Sequence, residues 1–129
     1  MMELISDQQL TSVFQVVIGL SVLRVWTINF NKPTQWRGGG AQNMKEEFTV
    51  YGLPEWMVYL VGTLKVVFSV GLIAGLWVPE LVNFSASGIA IFMFFAILMH
   101  LKVKDPIIKS LPATTFFVLS VLIVLFFEN

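Results

Sequence analysis

Apolar residues run in four long blocks, about Leu10–Phe30, Glu55–Trp77, Leu81–Leu101 and Leu111–Phe127, separated by polar or proline-bearing connections. Each block approaches the ~20 residues that a helix needs to cross a bilayer at ~1.5 Å of rise per residue. The fourth, at about 18 residues, suffices with little tilt. Helix signals sit at the edges. Ser6-Asp7 supplies N-cap chemistry before the first block, and Val78-Pro79-Glu80 makes a tight turn between the second and third. Ser110 is placed to cap the fourth, with Pro112 in its first turn, where a missing N–H costs little. Four spans with short connections predict an all-α, integral membrane antiparallel four-helix bundle occupying residues 1–129.

The only long connection is Asn31–Pro54, with a glycine run at Gly38-Gly39-Gly40. Asn43 followed by Glu46 resembles a capping arrangement, so a short helix over Met44–Tyr51 is expected, with Phe48, Tyr51 and Leu53 making it amphipathic. A long loop in so small a chain points to function.

Composition narrows the field. The 129 residues are 57% hydrophobic and 12% charged, with net charge zero and no Cys. No global field draws nucleic acid, and disulfides, thiolate metal sites and cysteine nucleophiles are excluded. One His and no clustered carboxylates make a metal site and an autonomous catalytic centre unexpected, so no metal ligands or catalytic residues are assigned. Any redox role would use a bound cofactor or a partner. The start of the chain, Met1 to Asp7, lacks a basic segment and reads as the approach to a retained helix, not a cleaved signal.

Lysine and arginine set the orientation. Lys32, Arg37 and Lys45 lie in the first connection and Lys102, Lys104 and Lys109 in the third, while the Pro79-Glu80 turn and both tails hold none. By the positive-inside rule both basic connections face the cytoplasm, Asn31–Pro54 is a cytoplasmic loop and both termini lie outside.

Lys65 stands in the middle of the second block, roughly 15 Å from either surface and beyond the reach of a snorkelling side chain. Its helical neighbours Val58, Gly62, Ser69 and Ile73 share its face, which is predicted to look inward. The bland reading ties Lys65 to carbonyls, hydroxyls and water; the functional one gives it a ligand or a proton to hold. Gly71 and Gly75 lie opposite, at a spacing suited to close helix packing. On the third helix Ala86, Ala90, Met93, Ile97 and His100 form one stripe, ending in a titratable group at the bundle mouth. Arg24 lies about 9 Å from the end of the first helix, opposite a polar stripe of Ser12, Gln15, Gly19, Trp26 and Asn29, and either face could look inward. No acidic residue falls within the spans' cores. The buried cations therefore suggest an anionic or carbonyl-bearing ligand, such as a quinone or lipid headgroup, unless the loop turns Glu46 or Glu47 inward. The candidate ligand-binding set is Lys65, His100, Arg24, Ser69, Glu47 and Tyr51.

Three short motifs in order, Tyr51-Gly52-Leu53-Pro54-Glu55-Trp56, Gly62-Thr63-Leu64-Lys65-Val66-Val67 and His100-Leu101-Lys102-Val103-Lys104-Asp105-Pro106, are followed by Lys109-Ser110-Leu111-Pro112. In these the chain resembles the DoxX-like family of small four-span membrane proteins from about residue 50 onward, with Arg24 a plausible counterpart of a family arginine. The resemblance implies a bacterial inner-membrane protein, some of whose relatives are linked to thiosulfate:quinone oxidoreduction or to membrane oxidoreductase assemblies. The expected role is an accessory or anchoring subunit with a quinone-like or anionic ligand, in contact with membrane lipid and with a redox enzyme, another membrane protein or further copies of itself. The alternatives are a small transporter or proton-coupled channel using Lys65 and His100, and a quinone-linked oxidoreductase subunit.

Overall fold

The computed structural model describes residues 6–127. The tails Met1–Ile5 and Glu128-Asn129, counted above among the cation-free ends, lie outside the described residues. Five α-helices follow in order: α1 (Asp7–Trp26), α2 (Met44–Val50), α3 (Glu55–Ala74), α4 (Glu80–Lys102) and α5 (Leu111–Phe126), with 3-10 turns at Gly38–Gly40 and Ile107–Ser110. Among the described residues there are no strands. The turn Ile107–Ser110 runs into α5, so that four stretches among the described residues are long and apolar enough to cross a membrane.

Local chemistry sets the ends. Ser6 Oγ accepts the Gln9 N–H at 3.1 Å and Gln9 Oε1 accepts the Ser6 N–H at 3.0 Å, a reciprocal cap that starts α1. The first block reads helical to Phe30, but α1 stops at Trp26 because Thr27 leaves helical geometry and the Asn29 N–H closes back on the Arg24 carbonyl at 2.9 Å. Asn43 caps α2 by accepting the Glu46 N–H at 2.9 Å, as its spacing suggested. Ser110 does not cap α5; it already has helical φ/ψ as the last residue of the preceding turn, while Pro112 does sit in the first turn. Pro79 does not end α3, which closes at Ala74 with Gly75 as C-cap; it stands at the N-cap of α4.

Specific contacts give the register. Gln15 Nε2 donates to the Leu72 carbonyl at 2.8 Å, Gly19 lies against Ser69 and Ile73, and Gly62 lies against Trp26, so α1 and α3 run antiparallel. Gly71 faces Ser85, Gly75 faces Val82 and Gly88 faces Phe68, which packs α3 antiparallel to α4. α5 lies between α4 and α1 and closes the ring. The interior holds Ile18, Val22, Leu72, Val82, Ala86, Ile89, Met93 and Ile123, and the outer faces expose Leu20, Val67, Phe84, Ile91 and Leu125. An apolar exterior around an apolar core suits lipid as the surrounding solvent. A smaller cluster of Met44, Phe48 and Val58, with Trp26, Phe30 and Leu53 around it, seats α2 across the end of the bundle that carries the basic connections.

Candidate functional site

Two groups of polar side chains occupy that end. The outer one is a closed network between the long loop and the α4–α5 connection. Arg37 is only 4% exposed. Its guanidinium donates to the carbonyls of Lys32 (2.9 Å), Asn29 (2.6 Å) and Phe30 (3.3 Å), and pairs with Glu47 at 3.7 Å. Burial lowers its pKa from the usual arginine value, while the charge of Glu47 opposes that shift. Glu47 also accepts the Gly38 N–H at 2.7 Å and a hydrogen bond from the Tyr51 hydroxyl. Burial, and then the charge of Glu47, raise the Tyr51 pKa, so the phenol stays protonated and donates. The Tyr51 ring covers Gly38 so closely that an added Cβ would lie 2.5 Å from Cε1.

His100 and Asp105 complete the network. His100 Nδ1 lies 2.8 Å from Asp105 Oδ2, and the imidazole meets the edge of Tyr51 at 6.0 Å between centroids. Asp105 Oδ1 accepts the Gly39 N–H at 3.0 Å. Burial alone would raise the Asp105 pKa, but the bonds from His100 and Gly39 outweigh it and hold the carboxyl below its usual value. The turn that delivers Asp105 is strained. Its N–H reaches the His100 carbonyl at 3.0 Å and the Lys104 N–H reaches Leu101 at 3.1 Å, a Schellman closure that puts Lys104 at φ 59°. The end of α2 uses the same closure with Gly52 at φ 80°, where no side chain resists. Lys102 Nζ donates to the Tyr51 carbonyl at 2.7 Å and Lys109 Nζ to the Arg37 carbonyl at 2.8 Å, clamping the loop across the bundle.

The inner group is Lys65. Its ammonium lies 5.4 Å from the Trp26 ring centre and 5.9 Å from that of Phe92, between α1 and α4. Gly62, one turn earlier, makes room for the indole. Among the described residues no hydrogen-bond acceptor or ion-pair partner reaches Nζ. The carboxylate whose field reaches it is Glu47, which already serves Arg37, Gly38 and Tyr51.

The six candidates therefore separate. Glu47, Tyr51 and His100 come together in the mouth network, and the loop does turn Glu47 inward. Lys65 lies beneath them. Ser69 is fully buried and donates to the Lys65 carbonyl at 2.7 Å, so its hydroxyl is satisfied within its own helix. Arg24 does not belong: it is exposed on the outer face of α1, while Gln15, Gly19 and Trp26 of the opposite stripe look inward. Sequence reasoning placed Arg37 and Asp105 only as a loop cation and a motif residue. The available signal was position, since Arg37 precedes the glycine run and Asp105 follows His100 by five residues.

Four lipid-compatible helices closed into a ring define a multi-pass integral membrane protein. The chain belongs to the DoxX-like family, whose pattern matches residues 36–124, more than half its length. That match begins one residue before Arg37 and takes in the mouth network and Lys65. No curated protein and no solved structure matches the chain.

Proposed function

We propose that the protein is an accessory or anchoring membrane subunit that holds a quinone-like or anionic amphiphile at Lys65. The observation that carries this reading is the Lys65 ammonium, set at mid-span among aromatic rings and, among the described residues, without a bonded counter-charge. Burying a charge is costly unless something bonds to it, and ring faces satisfy a cation only in part. A carbonyl or carboxylate oxygen completes the site, with Trp26 and Phe92 offering flat surfaces to a ring-shaped head. The fold supplies the pocket wall and the mouth network holds α2 over it. The electron donor or acceptor that such a ligand would serve belongs to a partner, a redox enzyme or another membrane protein.

Binding can be read from Trp26 with a short-tailed benzoquinone, in a background with Trp36, Trp56 and Trp77 replaced by Phe. Saturable quenching is expected, weakened at least about tenfold by Lys65→Met, the loss of a charged hydrogen bond. Equal quenching in both proteins contradicts the reading. The location belongs to the proposal too: a bacterial inner membrane with the basic connections cytoplasmic, supported by the six loop cations. A periplasm-specific reporter fused after Asn129 should be active, and activity of a cytoplasm-specific one instead would reverse the orientation.

A further inference from the structure

Between α1 and α3 lies an apolar groove of about 320 Å³, lined by Trp26, Phe30, Tyr59, Gly62, Thr63 and Val67 among others. Tyr59, Thr63 and Val67 are exposed on the outer face of α3, so the groove opens sideways, toward lipid. From Tyr59 to Val67 it descends ~12 Å along the helix, taking ~1.5 Å per residue. Its inner wall is the Trp26 indole, which rests on Gly62 and passes within 5.4 Å of the Lys65 ammonium. One side chain separates an apolar slot from an intramembrane cation.

We infer that this groove is the tail subsite of the ligand whose head meets Lys65, and that the ligand comes in from the lipid phase past Trp26. The inference rests on the reading of Lys65 given above and adds the ligand's shape: an amphiphile with one long apolar tail and a compact anionic or carbonyl head. Three features select that occupant. The lining is almost wholly apolar, so the groove has no use for a second polar group. The mouth network shuts the bundle end, where Arg37 and His100 are buried and the Asp105 side chain is covered, bonding His100 and Gly39, so the side is the open approach. The charge behind the groove's wall is positive, which selects a head that presents an acceptor oxygen.

The test uses the full chain in phosphatidylcholine vesicles and a long-chain fatty acid carrying a diazirine on its tail. Photolabelling should map to the α3 peptide that contains Tyr59, Thr63 and Val67. Excess probe-free fatty acid, or a benzoquinone with the same tail, should suppress labelling at least about tenfold, whereas the headless alkane should not. Thr63→Phe, at an exposed position, fills the groove and should cut labelling by a similar factor. Labelling unchanged by Thr63→Phe overturns the tail subsite but leaves the Lys65 reading standing. Competition by the alkane as strong as by the headed compounds makes the groove a plain acyl-chain contact and also overturns it. Headed compounds that compete equally well in Lys65→Met overturn the head site itself. A cross-linked dimer through the groove residues, in place of a probe adduct, assigns the surface to a second copy and overturns the inference.

Discussion

The mouth of the bundle and its middle handle charge in opposite ways. At the mouth, Arg37, Glu47, His100 and Asp105 are each bonded to a partner, and Lys102 and Lys109 extend the bonding to backbone carbonyls. At mid-span Lys65 has ring faces and a distant carboxylate. A network that satisfies its own members specifies a shape; a charge left short of partners is available to something else. The difference separates residues that hold the loop from the residue that lies deeper in the bundle, beside Trp26 and Phe92.

Arg37→Met should break the comparison most severely. It strands three carbonyls and the Glu47 carboxylate, and is expected to cost about 3–5 kcal/mol in denaturant titration of the detergent-solubilised protein. Asp105→Asn comes next, at about 2 kcal/mol, since it weakens the bond to His100 and the Gly39 contact. The pH dependence follows from the same residue. Its folded pKa lies below the unfolded value, so its contribution is complete above about pH 4 and is lost as pH falls through the lowered folded pKa. The wild type should therefore lose stability over that acid window, and Asp105→Asn should flatten that part of the curve. An unchanged acid limb would show that the His100–Asp105 contact carries none of it.

Gly38→Ala is smaller, about 1–2 kcal/mol, because the new methyl must displace the Tyr51 ring. Melting in the same detergent reads it, and a neutral result would mean that the ring yields freely. Lys104→Gly should go the other way, stabilising by about 0.5 kcal/mol. It relieves the left-handed conformation, and the glycine's freedom in the unfolded chain offsets part of the gain.

The elements that sequence made legible are those decided locally. Apolar runs of span length, the Asn43 cap, Pro112 in a first turn and the glycines of α3 each depend on neighbours within a turn or on close helix approach. The inward direction of Lys65 followed from the cost of facing it to lipid. What escaped depends on distant closure. Arg37 reads as a soluble loop cation until the chain folds back to present the carbonyls of Asn29, Phe30 and Lys32. Arg24 reads as a pocket residue until α3 takes the Gln15–Gly19–Trp26 face. Ser110 has the composition of a cap, but the preceding turn had already made the chain helical. Of the side chains gathered at the mouth, Glu47, Tyr51 and His100 were in view; Arg37 and Asp105, and which of them bond to each other, were not.

The most direct measurement compares wild type and Lys65→Met for thermal stability and for amphiphile content after mild detergent extraction. If Lys65 serves a ligand, the variant should melt no lower once both proteins are stripped of amphiphile, because an apolar side chain of similar size removes a partly buried charge at mid-span. It should also extract with little quinone or fatty acid. A variant that melts several degrees lower with unchanged amphiphile content would make Lys65 a structural tether, contradicting the assignment of mid-span charge to a ligand.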